Sequence, residues 1–120
     1  MNNENPMPLS TFLQQLKTSP KTIEFNDVMN IINECYIYTP VTFTNGELIN
    51  SAGTNEGSCK IFSFALLNNL NEKQTLACFG KFYREDVLLY PNADDHGNIR
   101  TFIKLGWEGI SFSSAALILR

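Results

Sequence analysis

The chain has one histidine, no cysteine pair at metal-ligand spacing and no long apolar run. Each absence excludes a class of function. Cys35, Cys59 and Cys78 are odd in number and far apart, so neither a zinc half-site of the C-x₂₋₄-C type nor a secreted disulfide framework is present. No metal and no cofactor is expected, and a reducing compartment is the simpler assumption. No stretch reaches the roughly 20 apolar residues that cross a bilayer. No Lys/Arg-rich amphipathic segment marks a membrane surface. Gly53-x-x-x-Gly57 lacks the Gly-Lys-Ser/Thr continuation of a phosphate-cradling loop. With nine Lys+Arg against twelve Asp+Glu, net charge −3 and a pI near 5.0, there is no basic footprint for nucleic acid. The start, MNNENPMPLS, has neither the positive region nor the apolar core of a secretory signal. Residues 1–8 read as a polar, mobile tail, and 9–120 as one domain.

What is present centres on Asn45 to Leu70, NGELINSAGTNEGSCKIFSFALLNNL. From Cys59 to Leu70 the apolar residues cover most of a helical circumference, which predicts a helix enclosed by other elements. Gly53 and Gly57 loosen the loop before it, and Asn55 or Ser58 is the expected helix cap. A chain of 120 residues buries roughly two-thirds of its unfolded surface, enough for a core without staples.

Around this stretch, Leu9 to Lys17 predicts a helix with Leu9, Phe12, Leu13 and Leu16 inward, ended by Ser19-Pro20. Asn26 to Tyr36 predicts a second, with Cys35 on its buried stripe. Val41–Thr44 and Glu47–Asn50 flank Asn45-Gly46, the strongest two-residue hairpin signal. That register sets Phe43 opposite Leu48 and Thr42 opposite Ile49. Asn71 to Gln74 reads as a capping box opening a helix that stops at Gly80. Tyr83 to Tyr90 is a further short helix before Pro91. After the turn residues PNADDHG, Asn98 caps a helix carrying Ile99, Phe102 and Ile103 inward. Gly106 is its left-handed stop, with Trp107 folding back on Phe102. Ile110-Ser111-Phe112 alternates like a strand and Ala115 to Leu119 fits a strand or a helical turn; from this tail, Ile110 to Leu119, a short strand is expected to join the hairpin. The fold class is α+β: a mainly helical single domain with a small antiparallel sheet.

The strings FNDVMNII, YTPVTFTNGELINSAGTNEGSCKIFSFA, TLACFGKFYREDVL and DDHGNIRTFIKLGWEGISF together resemble the HopJ type III effector family, over nearly everything from Leu9 onward. The resemblance implies a small bacterial protein of a family named for proteins injected into plant hosts. Similar sequences also occur in bacteria with no obvious injection machinery. It implies the bacterial cytoplasm as the location, with translocation into a host cell as a further step. It brings no activity, cofactor or catalytic residues.

Two function classes stand side by side. The first is a binding protein with a protein or small-molecule partner, monomeric, contacting neither nucleic acid nor membrane. Tyr38, Asn55, Ser58, Arg84 and Trp107 are its candidate binding residues, with Tyr36, Phe82 and Tyr83 as further aromatic wall or core. The second is a cysteine-dependent hydrolase or transferase. Gly57-Ser58-Cys59 at a helix entrance resembles the way papain-like proteases present a nucleophile, and unpaired N–H groups there favour a thiolate. His96 is the candidate base, with Asp95, Asn98 or Asp94 to orient it. Lys60 departs from that pattern, and His96 follows only 37 residues later. The commoner role of a free cysteine is a small apolar core residue, and that role is preferred for Cys59. For His96 the preferred role is a capped turn with its ring bonded to a carboxylate or carbonyl. The acid pairs Glu85-Asp86 and Asp94-Asp95 read as solvated surface, pairing locally with Lys81, Arg84 and Arg100.

Overall fold

Apolar residues on every side of one helix force the rest of the chain to surround it. The structure, a computed structural model, describes residues 7–120. The expected tail falls partly outside that range, and Met7 and Pro8 already belong to the first helix. The elements run α1 (Met7–Thr18), a 3₁₀ turn at Pro20–Thr22, α2 (Phe25–Cys35), β1 (Tyr36–Tyr38), β2 (Phe43–Asn45) and β3 (Leu48–Asn50). They continue with α3 (Glu56–Leu67), α4 (Glu72–Ala77), a π-helical segment (Phe82–Val87), α5 (Gly97–Leu105), a 3₁₀ turn (Gly106–Gly109), β4 (Ile110–Phe112) and β5 (Leu117–Leu119). The mainly helical α+β reading holds.

α3 is the central rod. Cys59 and every residue from Ile61 to Ala65 are buried. Phe62 and Phe64 stand two residues apart, about 200° around a helix of 3.6 residues per turn, so they serve opposite half-cores. Phe64 meets Phe12 of α1 and Tyr36 of β1 edge-on at 5.8 and 5.9 Å between ring centroids. Phe62 meets Phe43, Phe79, Phe102 and Trp107 at 6.0, 5.6, 5.0 and 6.3 Å. The apolar enclosure stops at Ala65: Leu66 and Leu67 face solvent, and Leu70 is buried beyond the helix end.

The capping box is present as expected: Asn71 Oδ1 accepts from the Gln74 N–H at 2.7 Å, and Gln74 Oε1 accepts from the Asn71 N–H at 3.0 Å. Gly80 follows at φ +59°, where an added Cβ would sit 2.8 Å from the Phe25 backbone nitrogen. Gly106 ends α5 at φ +64° and ψ −152°, a glycine conformation but not the left-handed helical one expected, and Trp107 packs edge-on to Phe102 at 5.0 Å. Ile103, expected inward, is exposed.

Two small antiparallel sheets form, in strand orders β3-β2-β4 and β1-β5. Of the two tail strands, it is β4 that joins the hairpin. β5 instead pairs with β1, setting Tyr36 opposite Leu119, so Tyr38 lies outside the hairpin. The hairpin register also differs: Phe43 faces Asn50 and Asn45 faces Leu48, with the turn at Gly46-Glu47. Asn45 is a strand residue with a buried side chain, which moves the turn one residue along. No helix among the described residues is long and apolar enough to cross a membrane.

Replacing Phe62 by Ala should destabilise the protein by about 3–5 kcal/mol. Leu67→Ala should stay within roughly 0.5 kcal/mol of wild type, as expected for an exposed site. Urea unfolding followed by circular dichroism measures both; equal losses would contradict the two-sided core.

Candidate functional site

The starts of α3 and α5 are built alike. Each follows a left-handed residue, Asn55 at φ +49° and His96 at φ +52°, and neither side chain caps its helix. Asn55 Nδ2 donates to Asn50 Oδ1 at 2.7 Å instead. Asn50 and Asn98 exchange amide hydrogen bonds at 3.2 and 2.9 Å. Asn45 Nδ2 donates to Asn98 O and Oδ1 at 2.9 and 3.2 Å. Four asparagines thus fasten both helix starts to the hairpin. The expected roles of Asn98 as helix cap and histidine orienter are replaced by this one; His96 occupies the cap position.

A cleft of about 330 Å³ opens beside these two starts. Asn55 and Ser58 contribute from one helix start, His96 and Asn98 from the other, and Phe25 and Phe82 add flat apolar surface. His96 Nε2 lies 3.0 Å from Asp86 Oδ2 and 3.8 Å from Asp95 Oδ2. Its ring lies 5.2 Å from that of Phe82, which in turn meets Phe25 edge-on at 5.0 Å. Phe82 and Asp86 belong to the π-helical segment, where the Leu88 N–H bonds back five residues to Tyr83 O at 3.0 Å. Single π turns of this kind recur at functional sites.

Asp95 is held by another partner. Arg100 bonds its Oδ1 and its backbone oxygen, both at 2.6 Å, and that guanidinium draws the carboxyl below its ordinary range. The acid that positions His96 is Asp86. The sequence marked it only as half of a surface pair, because an ordinary helix gives no reason to single it out.

Cys59 lies elsewhere. It is 1% exposed, forms no part of the cleft wall, and its Sγ lies 4.0 Å from Val41 O. Its N–H is already bonded to Asn55 O at 3.0 Å. Burial pushes its thiol above the ordinary range, outweighing the Val41 and Tyr38 hydrogen bonds and the charge of Lys60. No hydrogen bond among the described residues joins Cys59 to His96. The helix-start thiolate expected from the sequence therefore meets an opposing environment, and the packing role preferred for Cys59 fits the geometry. Burial also raises the Cys35 thiol and pushes Cys78 up to about 12.

The remaining candidates disperse. Tyr38 Oη donates to Glu56 Oε2 at 2.9 Å, with Lys60 Nζ 4.7 Å from its ring centre. Trp107 is packed against Phe62 and Phe102 rather than the cleft. Arg84 donates to Ile23 O at 2.7 Å and lies 3.8 Å from Glu24. Of the expected binding residues, the structure gathers Asn55 and Ser58 at the cleft; Tyr38, Arg84 and Trp107 lie elsewhere.

The fold and the cleft define a small, mainly helical α+β protein whose polar and aromatic recess carries no thiol. The chain belongs to the HopJ type III effector protein family, whose model matches residues 9–117. It is similar to a crystal structure of the unknown function protein VPA0580, with 52% identity, a TM-score of 0.94 and full coverage of both chains. No curated protein matches it.

Iodoacetamide at pH 7–8 should label all three cysteines slowly in the folded protein and rapidly in urea. Mass spectrometry of the labelled peptides reads each site. A Cys59 rate with a midpoint well below the ~8.5 of a free thiol would restore the thiolate.

Proposed function

We propose that this protein acts by non-covalent recognition of a partner at the His96 cleft. One observation carries the reading. The protein's only histidine sits on the cleft wall, held by Asp86 and flanked by Phe82, with no thiol beside it. His96, Ser58 and the Asn55 amide offer hydrogen bonds, and the Phe25–Phe82 pair offers a flat apolar surface. This combination suits a protein side chain or a small molecule with one polar edge and one planar face. The acidic balance argues against nucleic acid as that partner. The proposal takes the protein as a monomer made in a bacterial cytoplasm. The family's description as type III effectors extends the proposal to translocation, with the partner in a host cell. A hydrolase or transferase built on Cys59 and His96 finds no supporting distance.

Affinity capture from host-cell lysate should recover a partner with wild type and with Cys59→Ser. His96→Ala should weaken that capture about tenfold, equivalent to about 1.4 kcal/mol. Retention by His96→Ala with loss in Cys59→Ser would overturn the reading.

A further inference from the structure

The π-helical segment also contributes to a second, larger groove. Tyr83 and Arg84, with Leu88 just beyond, help to line a recess of about 520 Å³. α1 and the following 3₁₀ turn add Lys17 and Lys21, and α4 adds Lys73. Four of the nine cationic side chains of a net-acidic protein thus line one groove, and no carboxylate lines it. Among the described residues, Lys17, Lys21 and Lys73 form no ion pair, whereas Arg84 is partly engaged by Ile23 O and Glu24. Glu72, next to Lys73, accepts from the Trp107 N–H at 3.4 Å. The wall between the charges is apolar: Leu16 and Ala77 are buried, and Leu88 is half exposed.

Several like charges gathered around one recess, with no carboxylate among them, give it a locally positive potential. An anionic ligand complements that charge. The apolar wall adds a second requirement that a purely hydrophilic polyanion does not meet. The volume falls within the ~300–1,000 Å³ of ordinary ligand sites. We propose that this groove docks an acidic peptide segment of a partner protein. Its carboxylates face Lys17, Lys21 and Lys73, and an apolar side chain lies over Leu16, Ala77 and Leu88. This site is separate from the His96 cleft and stands or falls independently of it.

The probe is a fluorescein-labelled peptide alternating Glu with Leu and Phe, titrated with the full chain and read by fluorescence anisotropy. Binding at about 50 mM salt should weaken severalfold at about 300 mM, where screening shortens the reach of the charges. Lys21→Glu with Lys73→Glu should lose affinity at least about tenfold. Lys81→Glu with Lys104→Glu makes the same change in net charge outside the groove and should stay within about twofold of wild type. Leu88→Ser, and a peptide with Ser for Leu and Phe, should each bind severalfold more weakly. Equal loss in the two charge-reversal pairs would overturn the groove as the site. Undiminished binding of the Ser peptide would reduce it to a generic anion surface. Absence of wild-type binding at low salt would overturn the proposal outright.

Discussion

Phe62 is the constraint on which the structure depends. Its ring is buried in the middle of α3 and meets aromatic rings from β2, the turn after α4, α5 and the 3₁₀ turn beyond it. Aromatic pairs in such edge-on and tilted arrangements contribute about 0.5–1.5 kcal/mol each beyond area burial. More important is that four separate segments converge on one side chain, so their positions are set together. Phe64 does the same for α1 and β1 on the other side. Once α3 is fixed from both sides, its first turn is fixed too, and with it Asn55 and Ser58 on the cleft wall.

The asparagine cluster is the second device, and it explains the hairpin. Asn45-Gly46 signals a turn with Asn45 at its first central position, where the side chain would be free. In the structure Asn45 is wholly buried because its amide supplies two hydrogen bonds to Asn98. Holding it in the strand leaves Gly46, at φ +60°, to begin the turn. No protein group among the described residues bonds Asn45 Oδ1. The two donated bonds tie the start of α5, and so His96, to the sheet.

Legibility in the sequence follows this division. Elements governed by local chemistry could be read: the helices at α1 and α2, the Asn71–Gln74 capping box, the Gly106 stop with Trp107, and β4. The buried rod was legible because its apolar residues circle the helix. What the sequence withheld depended on distant partners. β5 pairs with β1 across most of the chain, and no period in five ambiguous residues announces that. Asn98 looked like a cap because asparagine before an apolar stripe usually is one; here its amide is drawn toward Asn50. Asp95 lies beside His96 in sequence yet is drawn to Arg100, while Asp86, ten residues upstream, reaches the ring. The cysteine reading failed to find geometric support for a related reason. A helix start favours a thiolate only where the sulfur meets unpaired donors and solvent, and Cys59 lies far enough along the first turn to meet neither.

The π-helical segment shows how so small a domain presents two recesses. Ordinary helical bonding from Phe82 to Leu88 would keep the i→i−4 ladder throughout. The segment instead closes one wider turn through the bond from Leu88 to Tyr83. Phe82 and Asp86, four residues apart, serve His96, while Tyr83, Arg84 and Leu88 serve the basic groove. Arg84 also anchors the segment to the strap before α2 through Ile23 O, and Phe25 packs on Phe82. Those contacts fix the first half of the segment, and Arg100 Nη2, donating to Asp86 O at 3.3 Å, holds the second. An irregular turn so held is not a relaxed surface loop, and its side chains form part of the walls of both recesses.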